Sequence, residues 1–208
     1  IDDVMTIYPP SNIETYVYTY EASRPTATGT NAGTGSAARS CSRFNVIPWA
    51  NVTYEQAALA CARAGMRLCN PDEWYEACSN EHVYANTYPY GDAYVADACN
   101  GHDQNPAQDA VEPTGTQADC GSQNYGVEDM SGNLREWTQN VMGYTDDGKS
   151  IYTVRGGSFS EHSGGLTCNF ESTGFVEDSL APNVGFRCCT TCGNGTIDPG
   201  ETCDPALD

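Results

Sequence analysis

The sequence predicts an α+β domain with little regular secondary structure that is held together by disulfide bonds. Eleven cysteines occur in 208 residues, too many for a reducing cytosol unless they bind metal. No paired CxxC knuckles or Cys/His sets are present, so a disulfide framework is the better interpretation. Two helix starts, a few short strands and one long segment rich in Gly, Pro, Asn and Asp complete the pattern.

The first half of the chain contains one predicted strand and two predicted helices. The aromatic and β-branched run Tyr16–Tyr20 predicts a strand, and the small, polar residues of Thr26–Ser40 predict a long loop. The capping box Thr53–Gln56 begins an Ala-rich helix that ends at Gly65. The segment Asn70–Glu73 begins a second, short helix, with Asn as the cap and Pro in the first turn.

The second half of the chain is predicted to be mostly irregular. Residues Asn86–Gln123 show little periodicity, so they need disulfides or bound calcium to hold one shape. Short strands are predicted at Ser150–Arg155 and Val184–Cys188, and Gly156-Gly157 marks a tight bend.

The composition changes after Cys189 and predicts two parts. Residues 1–189 form the main domain, and residues 190–208 begin a small, turn-rich cysteine module that cannot bury much core. The sequence starts at Ile1 without the features of a signal peptide, as expected of a mature secreted protein whose signal has been removed.

The charge balance excludes several classes of partner. Nine Lys and Arg stand against 28 Asp and Glu, for a net charge of −19. Such a surface repels the phosphates of nucleic acid and of anionic lipid, and no apolar stretch approaches membrane-spanning length. It favours cations, and carboxylate and amide oxygens are the ligands that calcium prefers.

Seven short segments follow one another in an order that is typical of one family. They are YVYTYEAS at 16–23, NVTYEQA with CARAGMRL at 51–68, DEWYEAC at 72–78, YPYG at 88–91, GVEDMSGNLREWT at 126–138, RGGSF at 155–159 and VGFRC at 184–188. Together they resemble the formylglycine-generating-enzyme (sulfatase-modifying-factor) family, whose fold is a variant of the C-type lectin fold. The resemblance covers nearly all of the chain except the tail.

The resemblance implies two disulfides, Cys61–Cys188 and Cys78–Cys168. Three further pairs are expected: Cys41–Cys69 and Cys99–Cys120 as local bridges, and Cys192–Cys203 in the tail. That assignment leaves Cys189 unpaired, either free or joined to a cysteine of another chain or beyond Asp208. The spacing Cys189-Thr-Thr-Cys192 is weak evidence for zinc or redox chemistry.

The resemblance also implies a reaction that this chain lacks the groups to perform. Enzymes of the family bind copper through two cysteines that follow the Gly-Gly-Ser motif. Here the first position falls on Glu161 and the second near Leu166, and Cys168 corresponds to a structural disulfide cysteine. Because Cu(I) needs soft sulfur ligands, we expect no formylglycine generation. We expect no other activity either, because the three histidines are isolated in sequence and no Gly-x-Ser-x-Gly elbow occurs. An unrecognised enzyme that uses Glu161 and His162 as an acid/base pair is an alternative.

Two calcium sites are implied by the resemblance. The first uses Asn100, Gly101, Asp103 and Asn105, and the second uses Gly132, Asn133, Leu134 and Glu136. These loops offer hard oxygen ligands, as calcium requires. The alternative is that Asn133 and Glu136 only form hydrogen bonds with buried loop backbone.

The function expected from the sequence is that of a noncatalytic extracellular recognition or assembly module. The loop Ser160–Gly165, with Glu161 and His162, and the loop Ala27–Ala38 are the expected contact surface. The partner is a protein or glycan at the cell surface, or another copy of the chain. A structural subunit of a surface layer or filament is the second hypothesis. The tryptophans Trp49, Trp74 and Trp137 are expected in the core.

Overall fold

The structure is a computed structural model that describes residues 2–9, 14–35, 38–105, 107 and 109–191. The predicted tail module and the Cys192–Cys203 bridge lie outside the described residues, apart from Thr190 and Thr191. The division of the chain into 1–189 and 190–208 therefore stays a prediction.

Short strands surround two helices. In chain order the elements are β1 (Val4–Ile7), β2 (Thr15–Tyr18), β3 (Ala22–Ser23), β4 (Cys41–Ser42), α1 (Tyr54–Arg63), β5 (Arg67–Leu68), α2 (Pro71–Ser79), β6 (Arg135–Tyr144), β7 (Ser150–Arg155), a 3₁₀ turn (Ser163–Gly165), β8 (Glu171–Val176), β9 (Val184–Phe186) and β10 (Cys188–Thr191). The described residues between α2 and β6 contain no further helix or strand, which confirms the prediction that this segment is irregular.

Two four-stranded sheets and one two-stranded ribbon carry the fold. The first sheet has the order β1-β2-β10-β5 and is antiparallel throughout. The second has the order β8-β7-β6-β9, in which β6 and β9 are parallel and the other pairs are antiparallel. The strands β9 and β10 follow each other directly, so the chain passes from one sheet to the other at Arg187.

Both helices begin with the caps that the sequence predicts. Thr53 caps α1 and Asn70 caps α2, each with a reciprocal hydrogen bond from a residue three positions on. The backbone at Gly65, just beyond α1, has φ +77°, which suits a glycine. The core faces of α1 and α2 then bury small side chains such as Ala57 and Ala77.

The core consists of two clusters on opposite faces of β2. Tyr18 packs in the cluster that contains Trp49, Trp137 and Phe186. Val17, the preceding residue, packs in the cluster that contains Trp74. All three tryptophans are at most 1% exposed, which confirms their assignment to the core.

Four disulfides join the described residues, and one expected pairing is wrong. The bridges are Cys61–Cys188, Cys78–Cys168, Cys99–Cys120 and Cys69–Cys189. Cys69 therefore does not pair with Cys41, and Cys189 is not the unpaired cysteine. Cys41 is instead a free, buried thiol, and burial raises its pKa.

The strand β10 explains this correction. Successive side chains of a strand point to opposite faces. Cys188 therefore lies in the cluster with Cys61, whereas Cys189 lies in the cluster with Cys69. Adjacent cysteines on one strand thus tie β10 to both sides of the molecule.

We expect the Cys69→Ala/Cys189→Ala double variant to lose about 2–4 kcal/mol of unfolding free energy, because this bridge closes a loop with a sequence separation of 120. Urea unfolding in nonreducing buffer measures the loss. The variant Cys41→Ala, which breaks no bridge, is the control and should lose less. A nonreducing peptide map that links Cys41 to Cys69 would contradict the assignment.

Candidate functional site

The loop Ser158–Gly165, where the resemblance places the family's reaction centre, begins at a bend that favours glycine. Gly156 and Gly157 have φ of +89° and +68°. A Cβ on Gly157 would lie 2.2 Å from the carbonyl oxygen of Gly165. The bend brings the start and the end of the loop Ser158–Gly165 together.

Glu161 fixes this loop to the second sheet. Its carboxylate forms an ion pair with Arg135 at the start of β6 and accepts hydrogen bonds from the backbone N–H and the hydroxyl of Ser158. The side chain of Glu161 is 16% exposed. Glu161 is therefore a structural anchor rather than a displayed group. It also does not pair with His162, whose Nδ1 lies 2.9 Å from Asp103 Oδ1.

The residues that the resemblance places at or near the family's two reactive cysteines carry no thiol. Glu161, at the first position, forms the ion pair with Arg135. Leu166, near the second position, is 2% exposed. The nearby Cys168 is consumed in the bridge to Cys78.

Two histidines meet beside the loop. The rings of His102 and His162 lie 4.5 Å apart, centre to centre, at an angle of 65°. His102 Nδ1 lies 2.9 Å from Asp109 Oδ2. The Asp103 carboxylate faces His162 Nδ1, and this contact is the main reason why the pKa of Asp103 falls below its usual value.

Three tyrosines flank the histidines. The ring of Tyr88 stacks on Tyr90 at 5.4 Å between ring centres and is tilted against Tyr94 at 5.6 Å. The Tyr88 hydroxyl donates to the carbonyl oxygen of Ser163 at 3.2 Å, and the Tyr94 hydroxyl donates to Asp103 Oδ2 at 2.8 Å. Burial raises the pKa of Tyr94.

We call this area the histidine–tyrosine surface. It is formed by Tyr88, Tyr90, Tyr94, His102, Asp103, Asp109 and the loop Ser160–Gly165. Sequence analysis identified the loop and His162 but not the tyrosines or His102. The YPYG motif and the isolated His102 did not indicate this surface, because its contacts join distant residues such as Asp103 and His162, which are 59 positions apart.

The second expected contact loop, Ala27–Ala38, forms its described hydrogen bonds with other parts of the chain. Its backbone hydrogen bonds run to Arg24 and Ile47, and Arg43 donates to the Ala27 carbonyl oxygen. None of these described bonds reaches the loop Ser160–Gly165. Whether Ala27–Ala38 contacts a partner stays a prediction.

The side chains of the first expected calcium set are held by hydrogen bonds. Asn100 Nδ2 donates to Ala110 O at 3.0 Å and to Asn133 Oδ1 at 2.9 Å. Both oxygens of Asp103 accept hydrogen bonds on the histidine–tyrosine surface. Gly101 contacts the Glu161 loop, since a Cβ there would lie 3.1 Å from Glu161 O. Asn105 is half-buried in the same segment.

The second expected calcium set forms a network that needs no ion. Asn133 Oδ1 accepts from the Glu112 N–H at 2.9 Å, and Asn133 Nδ2 donates to Glu21 at 2.5 Å. The Leu134 N–H also donates to Glu21. Glu136 accepts from Trp74 Nε1 at 2.7 Å. Asn133 therefore bonds buried loop backbone, as the alternative supposed, whereas Glu136 bonds side chains.

Neither set is an open cage of oxygen ligands. A Cβ on Gly132 would lie 2.2 Å from the Asn100 carbonyl oxygen, so the two loops are in direct contact. In the described part of the chain, no group of three or more His, Cys, Asp or Glu side chains is arranged to hold a metal ion. The side-chain oxygens of Asn133 and Glu136 are engaged in hydrogen bonds in this arrangement, and calcium binding stays a prediction.

Buried carboxyl groups surround this network. Glu21, Asp129 and Glu136 are each at most 5% exposed and lie around one buried cation, Arg187. Burial, reinforced by the neighbouring carboxylates, raises the pKa of Glu21 well above its usual value. Burial also raises the pKa of Asp129 to about 6. Three buried carboxyl groups therefore share one guanidinium group.

A cavity of about 600 Å³ lies elsewhere, between α1 and the β7–β8 edge. It is lined by the stacked rings of Tyr54 and Tyr152, 3.6 Å apart, and by acidic residues that include Glu177 and Asp178. Those two carboxylates already bond the Ser150 N–H and Lys149. The polar groups are thus satisfied within the protein, and the cavity is the weaker candidate.

Comparison with known proteins identifies the family. The family model described as the sulfatase-modifying factor enzyme 1-like domain matches residues 11–192. The chain belongs to this family. A mouse (Mus musculus) relative, named inactive C-alpha-formylglycine-generating enzyme 2, is 28% identical over 184 residues, which are 80% of this chain and 56% of the relative. The chain thus spans little more than half of that protein's length.

Solved structures establish the fold of this sulfatase-modifying-factor domain. Treponema denticola variable protein 1 superposes with a TM-score of 0.62 at 13% identity, covering 85% of this chain and 84% of that one. The P3c variant of the Major Tropism Determinant gives a TM-score of 0.58 at 15% identity, covering 89% and 52%. At these identities the likeness concerns the fold alone, and it confirms the formylglycine-generating-enzyme-like variant of the C-type lectin fold.

The matched relatives from mouse and cattle are both named inactive. In this chain the positions that the resemblance assigns to the copper-binding thiols fall on Glu161 and near Leu166. Among the described residues, no helix is both long and apolar enough to cross a bilayer. The disulfides are compatible with an oxidising compartment.

The buried carboxyl of Asp129 makes stability depend on pH. Its pKa is higher in the folded protein, about 6, than in the unfolded chain, about 3.9. The folded state therefore binds more protons, and this group's contribution to stability falls as the pH rises between those two values. Above about pH 6 the loss is complete and no longer grows.

We expect Asp129→Asn to match the wild type near pH 4 and to be more stable at pH 8, by up to about 3 kcal/mol for a shift of two pKa units. Asparagine can still accept from the Gly115 N–H and tolerates the φ of 58° at this position. Urea unfolding in EDTA measures the difference, with the exposed Asp97→Asn as the control. Parallel pH profiles for Asp129→Asn and wild type would refute the explanation.

Proposed function

We propose that the domain is a noncatalytic extracellular recognition module and that the histidine–tyrosine surface contacts its partner. One observation carries the proposal. Where the family keeps its reaction centre, this chain has a loop fixed by the ion pair of Glu161 with Arg135, and tyrosine and histidine side chains lie next to that loop. The site has kept its position and lost its thiols.

The chemistry of this surface suits recognition. Tyrosine gives a large, rigid contact area at low cost in conformational entropy, and Ser and Gly in adjacent loops supply adaptable hydrogen bonds. Tyr90 and Tyr94 are half-buried, and His162 is 68% exposed. The ring stacking of Tyr88 on Tyr90 holds the aromatic group in one arrangement before a partner binds.

Two further observations support an extracellular recognition role. The described residues contain four disulfides, which persist in oxidising environments. Two proteins with the same fold are named as a variable protein and a tropism determinant. A partner protein is favoured over a glycan, because the aromatic rings stack on one another and leave less free ring face for a sugar.

We expect the Tyr90→Ala/His162→Ala double variant to lose at least tenfold in affinity for a ligand selected from a panel of extracellular proteins and glycans. Truncating two side chains at the centre of an interface typically costs more than about 1.4 kcal/mol. Tyr144→Ala is the matched control, because Tyr144 is 70% exposed at the far end of β6. Surface plasmon resonance measures all three proteins.

If the double variant bound the ligand with unchanged affinity while Tyr144→Ala lost affinity, the contact surface would lie elsewhere. A subunit of a surface layer or filament would instead assemble with itself. Size-exclusion chromatography at micromolar concentration separates the two hypotheses, and the recognition module is expected to elute as a monomer. Turnover of a cysteine peptide with copper and oxygen would overturn the noncatalytic assignment.

Calcium is proposed as a second support of the scaffold. The argument is the number of carboxyl groups, since Glu21, Asp129 and Glu136 lie around a single buried cation, Arg187, near the second expected set, and a bound cation would favour their ionised forms. A divalent ion there would do this, but the loops must first rearrange to free oxygen ligands.

Calcium at about 100 times its dissociation constant would add about 2.7 kcal/mol, which corresponds to a melting temperature roughly 5–10 °C higher than in EDTA. Differential scanning fluorimetry measures the shift, with magnesium as the control ion. Equal melting temperatures in calcium and EDTA would show that disulfides and hydrogen bonds alone hold these loops.

A further inference from the structure

Two histidines from distant parts of the chain meet on the histidine–tyrosine surface, and each is held by its own carboxylate. His102 comes from the irregular segment after α2, and His162 comes from the loop after β7. His102 Nδ1 lies 2.9 Å from Asp109, and His162 Nδ1 lies 2.9 Å from Asp103. The chain has three histidines, and two of them lie in this pair.

The two carboxylates determine which ring nitrogen is free. An ionised carboxylate only accepts hydrogen bonds, so the facing Nδ1 of each histidine carries the proton. In the neutral imidazole the other nitrogen, Nε2, then holds a lone pair. This is the arrangement of metal-binding histidines, whose second ring nitrogen usually donates to a carboxylate that fixes the ring and increases the basicity of the ligand nitrogen.

The two rings are close neighbours, as two ligands of one ion must be. Zinc–nitrogen bonds are about 2.0–2.1 Å long, so two ligand nitrogens of one ion lie up to about 4 Å apart. The ring centres of His102 and His162 are 4.5 Å apart, so rotation of the side chains can bring the two Nε2 atoms within that range. Both side chains are partly exposed, at 31% and 68%, so an ion can reach them and the rings can turn slightly without disturbing the core.

The local charge also favours a divalent cation. Asp103 and Asp109 place two carboxylates beside the two rings, and the chain as a whole has a charge of −19. No third His, Cys, Asp or Glu completes a cage within the described residues. An ion held by two imidazoles would keep its remaining positions open to water or to a donor from another molecule.

We propose that His102 and His162 bind one divalent transition-metal ion of the zinc type through their Nε2 atoms, with Asp109 and Asp103 as positioning residues. Imidazole selects such ions over calcium, which prefers oxygen. The proposal is independent of the recognition function, because the ion binds to the purified chain without a partner.

Isothermal titration with zinc chloride on the tag-free chain tests the proposal. We expect one saturable site, which is lost in both His102→Ala and His162→Ala. His82→Ala is the matched control, because His82 is exposed and is not part of the histidine–tyrosine surface. Unchanged melting temperatures of the two variants, without added metal, show that the loss is not caused by unfolding.

The outer carboxylate gives a second test. Asp109→Asn should weaken zinc binding about 10–100-fold, as is typical for the hydrogen-bond partner of a metal-binding histidine. Asp109 is preferred to Asp103, because Asp103 also accepts from the Tyr94 hydroxyl. Copper(II) provides a spectroscopic readout, since the electron paramagnetic resonance spectrum should show coupling to two nitrogens in the wild type and not in the His162 variant.

Two results would overturn the proposal. One is equal zinc affinity in the wild type and the His102→Ala/His162→Ala double variant, which would assign the bound zinc to the acidic surface in general. The other is zinc binding no tighter than calcium binding, which would leave the histidines as a solvated pair held by their carboxylates.

Discussion

The buried guanidinium of Arg187 is the interaction on which the rest of the structure depends. Arg187 is fully buried at the point where the chain passes from β9 to β10, between the two sheets. It donates to the carbonyl oxygens of Tyr18 and Thr19 at the end of β2, to that of Glu128 in the irregular segment, and to the Glu136 carboxylate on β6. One side chain thus joins both sheets and the loops between them.

The hydrogen bonds of Arg187 explain how a chain with so little regular secondary structure holds one shape. Removing one member of a buried ion pair typically costs about 3–5 kcal/mol, because the other charge is left unpaired. Glu136 cannot move without breaking its bonds to Arg187 and Trp74. The bridges Cys61–Cys188 and Cys69–Cys189 leave β10 just beyond Arg187, so covalent and ionic constraints converge on the same few residues.

Local sequence signals predicted the elements whose causes are local. The capping box at Thr53, the helix cap at Asn70 and the strand Ser150–Arg155 depend on residues that are close in sequence, and they were confirmed. The strand β6 was not predicted. Only its first half is buried, and two register shifts against β7 interrupt the alternation that would reveal it.

The parts that sequence could not supply depend on contacts between distant residues. Nothing near Cys189 shows that it faces the cluster of Cys69, because that follows from the order of strands in the first sheet. The same holds for His102 and His162, each of which is isolated in sequence. The resemblance of sequence motifs indicated the loop Ser160–Gly165, whereas the side chains that lie next to this loop could be identified only from the fold.

The loop where the resemblance places the reactive thiols of the family is tied to the scaffold at two points. Leu166 is buried against Gly157 and Gly101. Glu161 forms an ion pair with Arg135, directly before the Glu136 that binds Arg187. The loop is therefore anchored to the most constrained part of the molecule, while His162 and Ser163 beside it remain at or near the surface. A rigid base under exposed loop side chains allows the surface chemistry to change without a loss of fold.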